Sequence, residues 1–465
     1  MDFIYWFKKA VKHLLESKNF SHIGNNLQIS DKMANAITQW LLAFYQQPEW
    51  GKTEKQITNI PITITNYMAT LACNEITLSC GKSTKGQWLE EQIARFLVPN
   101  LNNAVQLAGA GGRVILKPYV RQGIIDCEVI PADRIYSKRI NSSGQTVAGF
   151  FTDFTNHKGR KVVRVESFDL MPEGLYLQNK AFWYQAGGET LGGEISLKEI
   201  PEWENLEPDI LIKGVDRPLF GELRMPFTNT VDETSKLPIS MYANALGTIQ
   251  ELDHIYNDFL HEIHTGKRKR IVDKFAIQPD KDGNGVPYRD LVTDLYLTMD
   301  LDSKNMQPFN DYTPNLRVEE YQKALDIQCR LLEAQTGFSA GTFSFSIQTG
   351  KMTATQVISD DRTTYNTIKA IQDRGLKQGL LDLIYGYQVY SELYQLAPAG
   401  QVVPGVSFGD SIFEDTGTEF VRRKALVDGH YLKPEIFLSW YFGVAEEEAA
   451  KLMPKETSNL FGFGE

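Results

Sequence analysis

Three histidines in one helical segment of the sequence could bind a metal ion. His261 and His264 are three residues apart, a step that two zinc ligands on one helix face use, and His254 lies on the same segment. Asp258 and Glu262 are nearby acids. The segment His261-Glu-Ile-His264 lacks the spacing of a zinc metalloprotease, however, and helix-surface histidines are common. An intracellular metal-dependent enzyme using these histidines is therefore the alternative interpretation, not the favoured one.

Two other stretches copy only part of a ligand-binding motif. Gly81-Lys-Ser83 follows a predicted strand, but a phosphate-binding loop needs glycine where this chain has Ile76. Asp280-Lys-Asp-Gly-Asn-Gly285 copies the first half of a calcium loop, yet Leu291 stands where the bidentate glutamate belongs. Turns explain both stretches better. No Ser-His-Asp or Cys-His arrangement has local support, so the sequence predicts no enzyme, no cofactor and no metal.

Composition argues against tight binding to nucleic acid or to anionic membranes. The 465 residues carry 58 acidic and 48 basic side chains, a net charge of -10, whereas a protein that neutralises phosphates carries an excess of basic residues. No apolar run is long enough to span a membrane, and residues 1–15 predict an amphipathic helix instead of a signal peptide. The four cysteines match neither a zinc site nor a disulfide framework, which predicts reduced thiols in a protein made in a cytoplasm.

The elements that must position these side chains are three helical patterns in residues 239–393. In the first, apolar residues recur at alternating steps of three and four up to Gly266: Tyr242, Ala245, Ile249, Leu252, Tyr256, Phe259 and Ile263. A polar insert with two predicted strands, 269–277 and 294–299, separates this helix from a second one over about 316–335. A third helix opens at the capping box Thr353-Ala-Thr-Gln356 and is predicted to continue to about residue 393.

The flanking sequence predicts an α+β fold. Before the first long helix we expect helices over 30–45, 60–72 and 86–96, the last of which should stop before Pro99. Runs rich in β-branched and aromatic residues predict a short strand over 75–79 and an antiparallel meander. The meander comprises residues 113–120, 124–130, 147–154, 160–170 and 175–183. Residues 187–236 form a looser region. After the third helix we expect a strand over 402–413 and helices over about 418–428 and 433–442.

The order of these patterns, together with local sequences, resembles the portal proteins of tailed bacteriophages, above all those of long-tailed phages of Gram-positive hosts. The likeness covers most of residues 60–455. It rests on Arg217-Pro-Leu-Phe220, Asn229-Thr-Val-Asp232, Leu237-Pro-Ile-Ser-Met-Tyr-Ala243, Gly266-Lys-Arg-Lys-Arg-Ile-Val272, Thr336-Gly-Phe-Ser339, Gly341-Thr-Phe-Ser-Phe345, Thr353-Ala-Thr-Gln-Val357, Phe408-Gly-Asp-Ser-Ile-Phe-Glu-Asp415 and Phe442-Gly-Val-Ala-Glu-Glu-Glu-Ala449. One departure is Gln356, where many relatives carry glutamate.

The resemblance implies a portal fold with an α/β wing, a stem of long helices, a small α/β clip, a tunnel loop and a helical crown. The parts map as wing 1–238, first stem helix 239–267, clip 268–314, second stem helix 315–337, tunnel loop 338–352, long tunnel helix with a strand returning to the wing 353–415, and crown 416–465.

The resemblance also implies a function without catalysis. The chain would be one subunit of a ring of about twelve copies at the unique vertex of the capsid, the connector between head and tail. Double-stranded DNA would pass through the ring. The terminase large subunit, which hydrolyses ATP, would dock during packaging, and a head–tail adaptor would dock later to retain DNA until ejection. Further partners would be the major capsid and scaffolding proteins. The subunit would be made in the host bacterial cytoplasm and reside in the virion, with no membrane contact.

Three groups of residues are candidates for the channel and its partners. Residues 241–265 contain four acids and no lysine or arginine, and acids repel DNA phosphates; the candidates to line the channel are Glu251, Asp258 and Glu262. A basic cluster at the end of that helix offsets the helix dipole or meets a partner at the clip: Lys267, Arg268, Lys269 and Arg270. The loop candidates for contact with DNA are Thr342, Phe343, Ser344, Phe345, Ser346, Gln348 and Lys351. A third class, a cytoplasmic helical scaffold, predicts an assembly without a central hole.

Overall fold

The chain combines helices and β-sheets, which confirms the predicted mixed class. The computed structural model describes residues 28–54, 56–184, 192–266, 269–273, 296–299, 309–312, 315–344, 362–409, 416–442 and 446–453. The chain divides into two compact units, one of residues 1–347 and 366–408 and one of residues 348–365 and 409–465. The predictions for residues 1–15, for the turn at 280–285 and for the cap at 353–356 lie outside the described residues.

Three helices build the N-terminal half of the main core: α1 (Asp31–Phe44), α2 (Ile60–Ala72) and α3 (Thr84–Gly111). Side-chain caps start two of them, since the Ser30 hydroxyl accepts from the Met33 amide at 3.2 Å and the Ser83 hydroxyl accepts from the Gly86 amide at 3.0 Å. Their apolar faces are buried against one another. The predicted helices over 30–45 and 60–72 are thus confirmed.

The prediction that the third of these helices stops before Pro99 is wrong. Helix α3 continues through Pro99 to Gly111, because an apolar face persists on both sides of the proline, from Phe96 and Leu97 to Leu101 and beyond. Pro99 has no amide hydrogen, so the carbonyl of Arg95 loses its helical hydrogen bond. The next carbonyl, that of Phe96, accepts a hydrogen bond from the Asn100 side chain at 2.9 Å. Burial of the continuing face outweighs the local penalty of proline.

The strands form several sheets instead of one meander. They are β1 (Ile76–Ser79), β2 (Arg113–Arg121), β3 (Ile124–Pro131), β4 (Ile135–Ile140), β5 (Thr146–His157), β6 (Arg160–Met171), β7 (Gly174–Trp183), β8 (Glu194–Ile195), β9 (Asp209–Lys213) and β10 (Gly221–Arg224). All five predicted runs are confirmed as strands. The sheet of β4 to β7 is an antiparallel meander with β8 and β9 both on the outer edge of β7, whereas β2 and β3 pair with β10.

Successive side chains of β2 point to opposite faces, and this explains why two sheets form where one was predicted. Val114 and Leu116 face the main helical core, while Ile115 faces a second core with Phe151, Phe168 and Phe220 between the sheets. Both faces of β2 are therefore buried. Strands β8, β9 and β10 lie in the region predicted as loose, where their short length hides the alternating pattern.

The two long helices form an antiparallel pair, α4 (Leu246–Thr265) and α5 (Val318–Thr336). Contacts along the pair include Thr248 with Gln335 at 2.8 Å and the rings of Phe259 and Tyr321 at 5.5 Å. The first half of the predicted stripe, through Leu252, is buried within the chain. The connecting insert carries β11 (Lys269–Asp273), β12 (Tyr296–Met299) and β13 (Phe309–Tyr312), with β11 between the other two.

The third long helix is helical from Arg362 to Leu393, as predicted for this part, but it contains a π-helical segment that the sequence did not predict. It comprises α6 (Arg362–Ala370), a π-helical segment Ile371–Leu376 and α7 (Lys377–Leu393). This helix lies directly on β10, where a Cβ on Gly375 would come within 2.3 Å of the Arg224 carbonyl oxygen and one on Gly379 within 2.4 Å of the Glu222 carbonyl oxygen. Glycine at both positions permits backbone-to-backbone packing, and the wider π-helical turn lies at the same contact.

The remaining elements are a returning strand and the helices of the smaller unit. Strand β14 (Gly405–Phe408) pairs antiparallel with β1, which confirms the core of the predicted strand over 402–413. Helices α8 (Thr416–Asp428), α9 (Pro434–Phe442) and α10 (Glu446–Leu452) follow, the first two as predicted. None of the helices in the described ranges is both long and apolar enough to cross a membrane.

Candidate functional site

A buried carboxylate anchors the start of the predicted tunnel loop. Glu333, in the last turn of α5, is 1% exposed, and its two oxygens accept three main-chain hydrogen bonds from the loop. The donors are the amides of Gly341 at 3.0 Å, Phe343 at 2.6 Å and Ser344 at 2.8 Å. A carboxylate that accepts several amide hydrogen bonds holds a loop tightly. The described part of the loop, residues 338–344, is therefore a folded anchor on the helix.

Aromatic side chains complete this anchor. The ring of Phe343 lies edge-on to the rings of Phe338 at 5.3 Å and Tyr67 of helix α2 at 5.9 Å, and Phe338 is buried. The Thr342 hydroxyl donates to the Ser339 carbonyl at 2.7 Å. Phe343, one of the candidates for contact with DNA, thus packs on the protein. Of the other loop candidates, Phe345, Ser346, Gln348 and Lys351 lie outside the described residues.

The acids of helix α4 fall into two kinds. Glu251 and Asp258 are exposed, and within the described ranges neither has an ion-pair partner. They are seven residues apart, so they project from one face of the helix about 10 Å apart along its axis. This pair forms a short acidic row on the surface of the long-helix pair.

The other two acids of α4, Glu262 and Asp253, are engaged by other parts of the chain, and of these two only Glu262 was a candidate to line a channel. Glu262 forms an ion pair with Arg317 at 2.6 Å, and hydrogen bonds from Arg317 lower the pKa of this carboxyl to about 2. Asp253 is buried, and it accepts hydrogen bonds from the Trp50 indole at 2.8 Å and the Thr58 amide at 2.8 Å. Glu262 therefore closes the base of the helix pair and cannot be counted as a free channel charge.

The basic cluster is only partly described. Lys267 and Arg268 lie outside the described residues, while Lys269 and Arg270 begin strand β11. These two residues are therefore part of the insert and not of the end of α4. Capping of the helix dipole is thereby restricted to the first two residues of the cluster.

The three histidines do not assemble a metal site in the described part of the chain. Nδ1 of His254 lies 2.5 Å from the Glu54 carboxylate, and its Nε2 lies 3.3 Å from the Gln250 amide. His261 and His264 are exposed near the end of α4. Among the described residues, no three histidine, cysteine, aspartate or glutamate side chains converge in a geometry that could hold a metal ion.

Glu333 and Asp253 were missed as structural anchors, although the sequence contains a signal for both. Each acid occupies a position on an apolar helix face, Glu333 one turn after Cys329 and Asp253 one turn after Ile249. A carboxylate on such a face is costly to bury unless it accepts hydrogen bonds. An acid within an apolar stripe therefore predicts donors that approach from another part of the chain.

Comparison with known proteins adds no family assignment. No protein-family model matches the chain, and no curated protein matches it.

Proposed function

We propose that the chain is a portal subunit and that about twelve copies of it form a ring that surrounds double-stranded DNA. The observation that carries the proposal is the antiparallel pair of α4 and α5. At one end the pair leads into a small three-stranded insert, and at the other end α5 leads into a loop anchored by Glu333. In the portal assignment these parts are the stem, the clip and the tunnel loop, with the sheets and α1–α3 as the wing and residues 416–465 as the crown.

Exposed apolar side chains on the helix pair support assembly. Ile327 is 64% exposed and Leu331 is 45% exposed, one helical turn apart on α5. Ile263 at the far end of α4 is 36% exposed. Apolar side chains that are exposed on a long helix favour burial against a neighbouring copy. In a ring, each subunit would cover this surface of the next one.

The acidic row supports a channel that DNA passes without binding. In a ring, Glu251 and Asp258 would repeat in every subunit and form two levels of negative charge. Carboxylates and DNA phosphates carry the same sign of charge, so DNA releases no counterions on this surface and does not bind to it as it would to a basic one. The loop that begins at the Glu333 anchor would then be the element nearest to the duplex, with Lys351 as its cation. The terminase large subunit and the head–tail adaptor would dock on the ring, in a virion assembled in the host bacterial cytoplasm.

Electron microscopy of the purified full-length protein tests the proposal directly. We expect end-on averages to show rings of about twelve subunits around a hole wide enough for duplex DNA, roughly 20 Å. Purification from cells that lack other phage proteins serves as the control for assembly without partners. Closed particles without a hole would contradict the proposal and favour a scaffold. Stoichiometric zinc in a monomer would favour the metal-dependent enzyme.

A further inference from the structure

A pocket of about 330 Å³ lies between the end of strand β10, the segment 225–238 and the π-helical segment 371–376. Three cationic side chains line it, Arg224, Lys236 and Arg374. No acidic side chain from the described part of the chain contributes to its wall. The pocket is distant in sequence from the Glu333 loop anchor, and the function proposed above does not use it.

The cations of the pocket have no counter-ion among the residues that the structure describes. In the described part of the chain, none of the three has a carboxylate within ion-pair distance. Glu222, two residues before Arg224, is already paired with the buried Arg113 at 3.2 Å. Among the described residues, the guanidinium of Arg224 donates only two long hydrogen bonds, to the carbonyls of Ser143 at 3.4 Å and Lys236 at 3.3 Å. An anion in the pocket would offset the charge of these three cations.

The wall of the pocket is rigid before any ligand binds. The Asn229 side chain accepts from the amides of Val231 and Asp232, both at 2.9 Å, and donates to the Leu237 carbonyl at 3.0 Å. These bonds hold the segment in a closed turn. The opposite wall is fixed because Gly375 packs on the Arg224 carbonyl. A preorganised site loses little conformational entropy when it binds a ligand.

We propose that this pocket binds the phosphate group of a small phosphorylated molecule. Guanidinium groups donate in pairs to phosphate oxygens, and three cations match a phosphate dianion better than a single carboxylate. Phe227 and Leu237 supply an apolar wall for an organic group. The volume is at the lower end of the range for small-molecule sites, which suits a phosphomonoester.

Calorimetric titration of the full-length protein at fixed ionic strength tests the proposal. The probes are inorganic phosphate, adenosine 5′-monophosphate and adenosine. We expect at least one phosphate-bearing probe to bind and adenosine to fail. Tighter binding of the nucleotide would identify a phosphomonoester as the ligand, and equal binding of inorganic phosphate would identify the free anion.

Matched substitutions separate a specific site from general electrostatics. Arg374→Gln and Lys236→Gln should each weaken binding at least about tenfold, because each removes a charge-assisted hydrogen bond. Lys377→Gln removes the same charge three residues further along the helix, outside the pocket, and should change the affinity less than about twofold. All three side chains are exposed, so the variants should fold. The proposal fails if neither phosphate-bearing probe binds, or if Arg374→Gln and Lys377→Gln have the same effect. Ring assembly is not required for either outcome.

Discussion

The Glu333 anchor makes a sharp prediction about the start of the loop after α5. In Glu333→Gln, the remaining carbonyl oxygen can still accept from the Phe343 and Ser344 amides, which Oε1 of the glutamate serves. The side-chain amide would then replace Oε2, which accepts from Gly341. Two donors would face each other, and the negative charge that strengthens the other two bonds would be lost.

The expected magnitude follows from these contacts. Loss of one hydrogen bond to a charged group, at a buried position, reduces the free energy of local opening by about 2–3 kcal/mol. Since about 1.4 kcal/mol is a factor of ten, amide exchange at positions 341, 343 and 344 should accelerate about 30- to 150-fold if the loop opens locally. Helix α3 is packed in the main core away from these bonds, and its exchange should change far less.

Hydrogen exchange measured by mass spectrometry on peptides covering residues 338–344 checks this prediction. Glu251→Gln makes the same chemical change at an exposed position of α4 and should leave the loop peptides unaffected. Loop exchange at the wild-type rate in Glu333→Gln would refute the three-bond anchor. An equal acceleration in α3 would show that Glu333 supports the whole fold and not the loop in particular.

Three further changes test the packing and the assembly. Ile327→Asp should leave the subunit folded, because this side chain is 64% exposed, but should convert rings to monomers in mass photometry. Burial raises the pKa of Asp382 to about 6, so the protonated carboxyl stabilises the fold and wild-type stability falls as the pH rises from about 4 to about 6. The thermal midpoint of Asp382→Asn should therefore rise relative to that of the wild type between pH 4 and pH 7, by the equivalent of about 2 kcal/mol. Gly379→Ala should lower the free energy of unfolding, measured in urea, by about 1–2 kcal/mol because its Cβ would meet the Glu222 carbonyl. The control Gly247→Ala, which has open space around it, should raise the free energy of unfolding by up to about 1 kcal/mol.

Local chemistry made much of the fold predictable from the sequence. Ser30 caps α1, where the sequence places a helix start. Runs rich in β-branched and aromatic residues, with glycine or proline between several of them, identify the five strands between Arg113 and Trp183. The antiparallel helix pair follows from the heptad spacing before Gly266 and from the polar insert between the helices. In each case the signal lies within a few residues of the element it defines.

The predictions that were wrong depend on contacts distant in sequence. Proline at position 99 is a local stop signal, yet the continuing apolar face of α3 keeps it helical. The π-helical segment exists where Gly375 meets the Arg224 carbonyl, a contact between residues 151 positions apart, so no local pattern reports it. In the site, the exposed acids were predicted, whereas the pairing of Glu262 with Arg317 required knowledge of how α4 and α5 align.

The contact between the third helix and β10 also determines how the subunit transmits force. Sliding this helix along the strand by one residue would bring side chains with a Cβ against the carbonyls that Gly375 and Gly379 now approach. The helix and strand therefore resist shear and move as one lever. A load applied along the helix at Ala370 would therefore reach the β2–β3–β10 sheet through this contact, unless the π-helical segment 371–376 rewinds and absorbs it. The π-helical segment would then be the part of the helix that yields first under load.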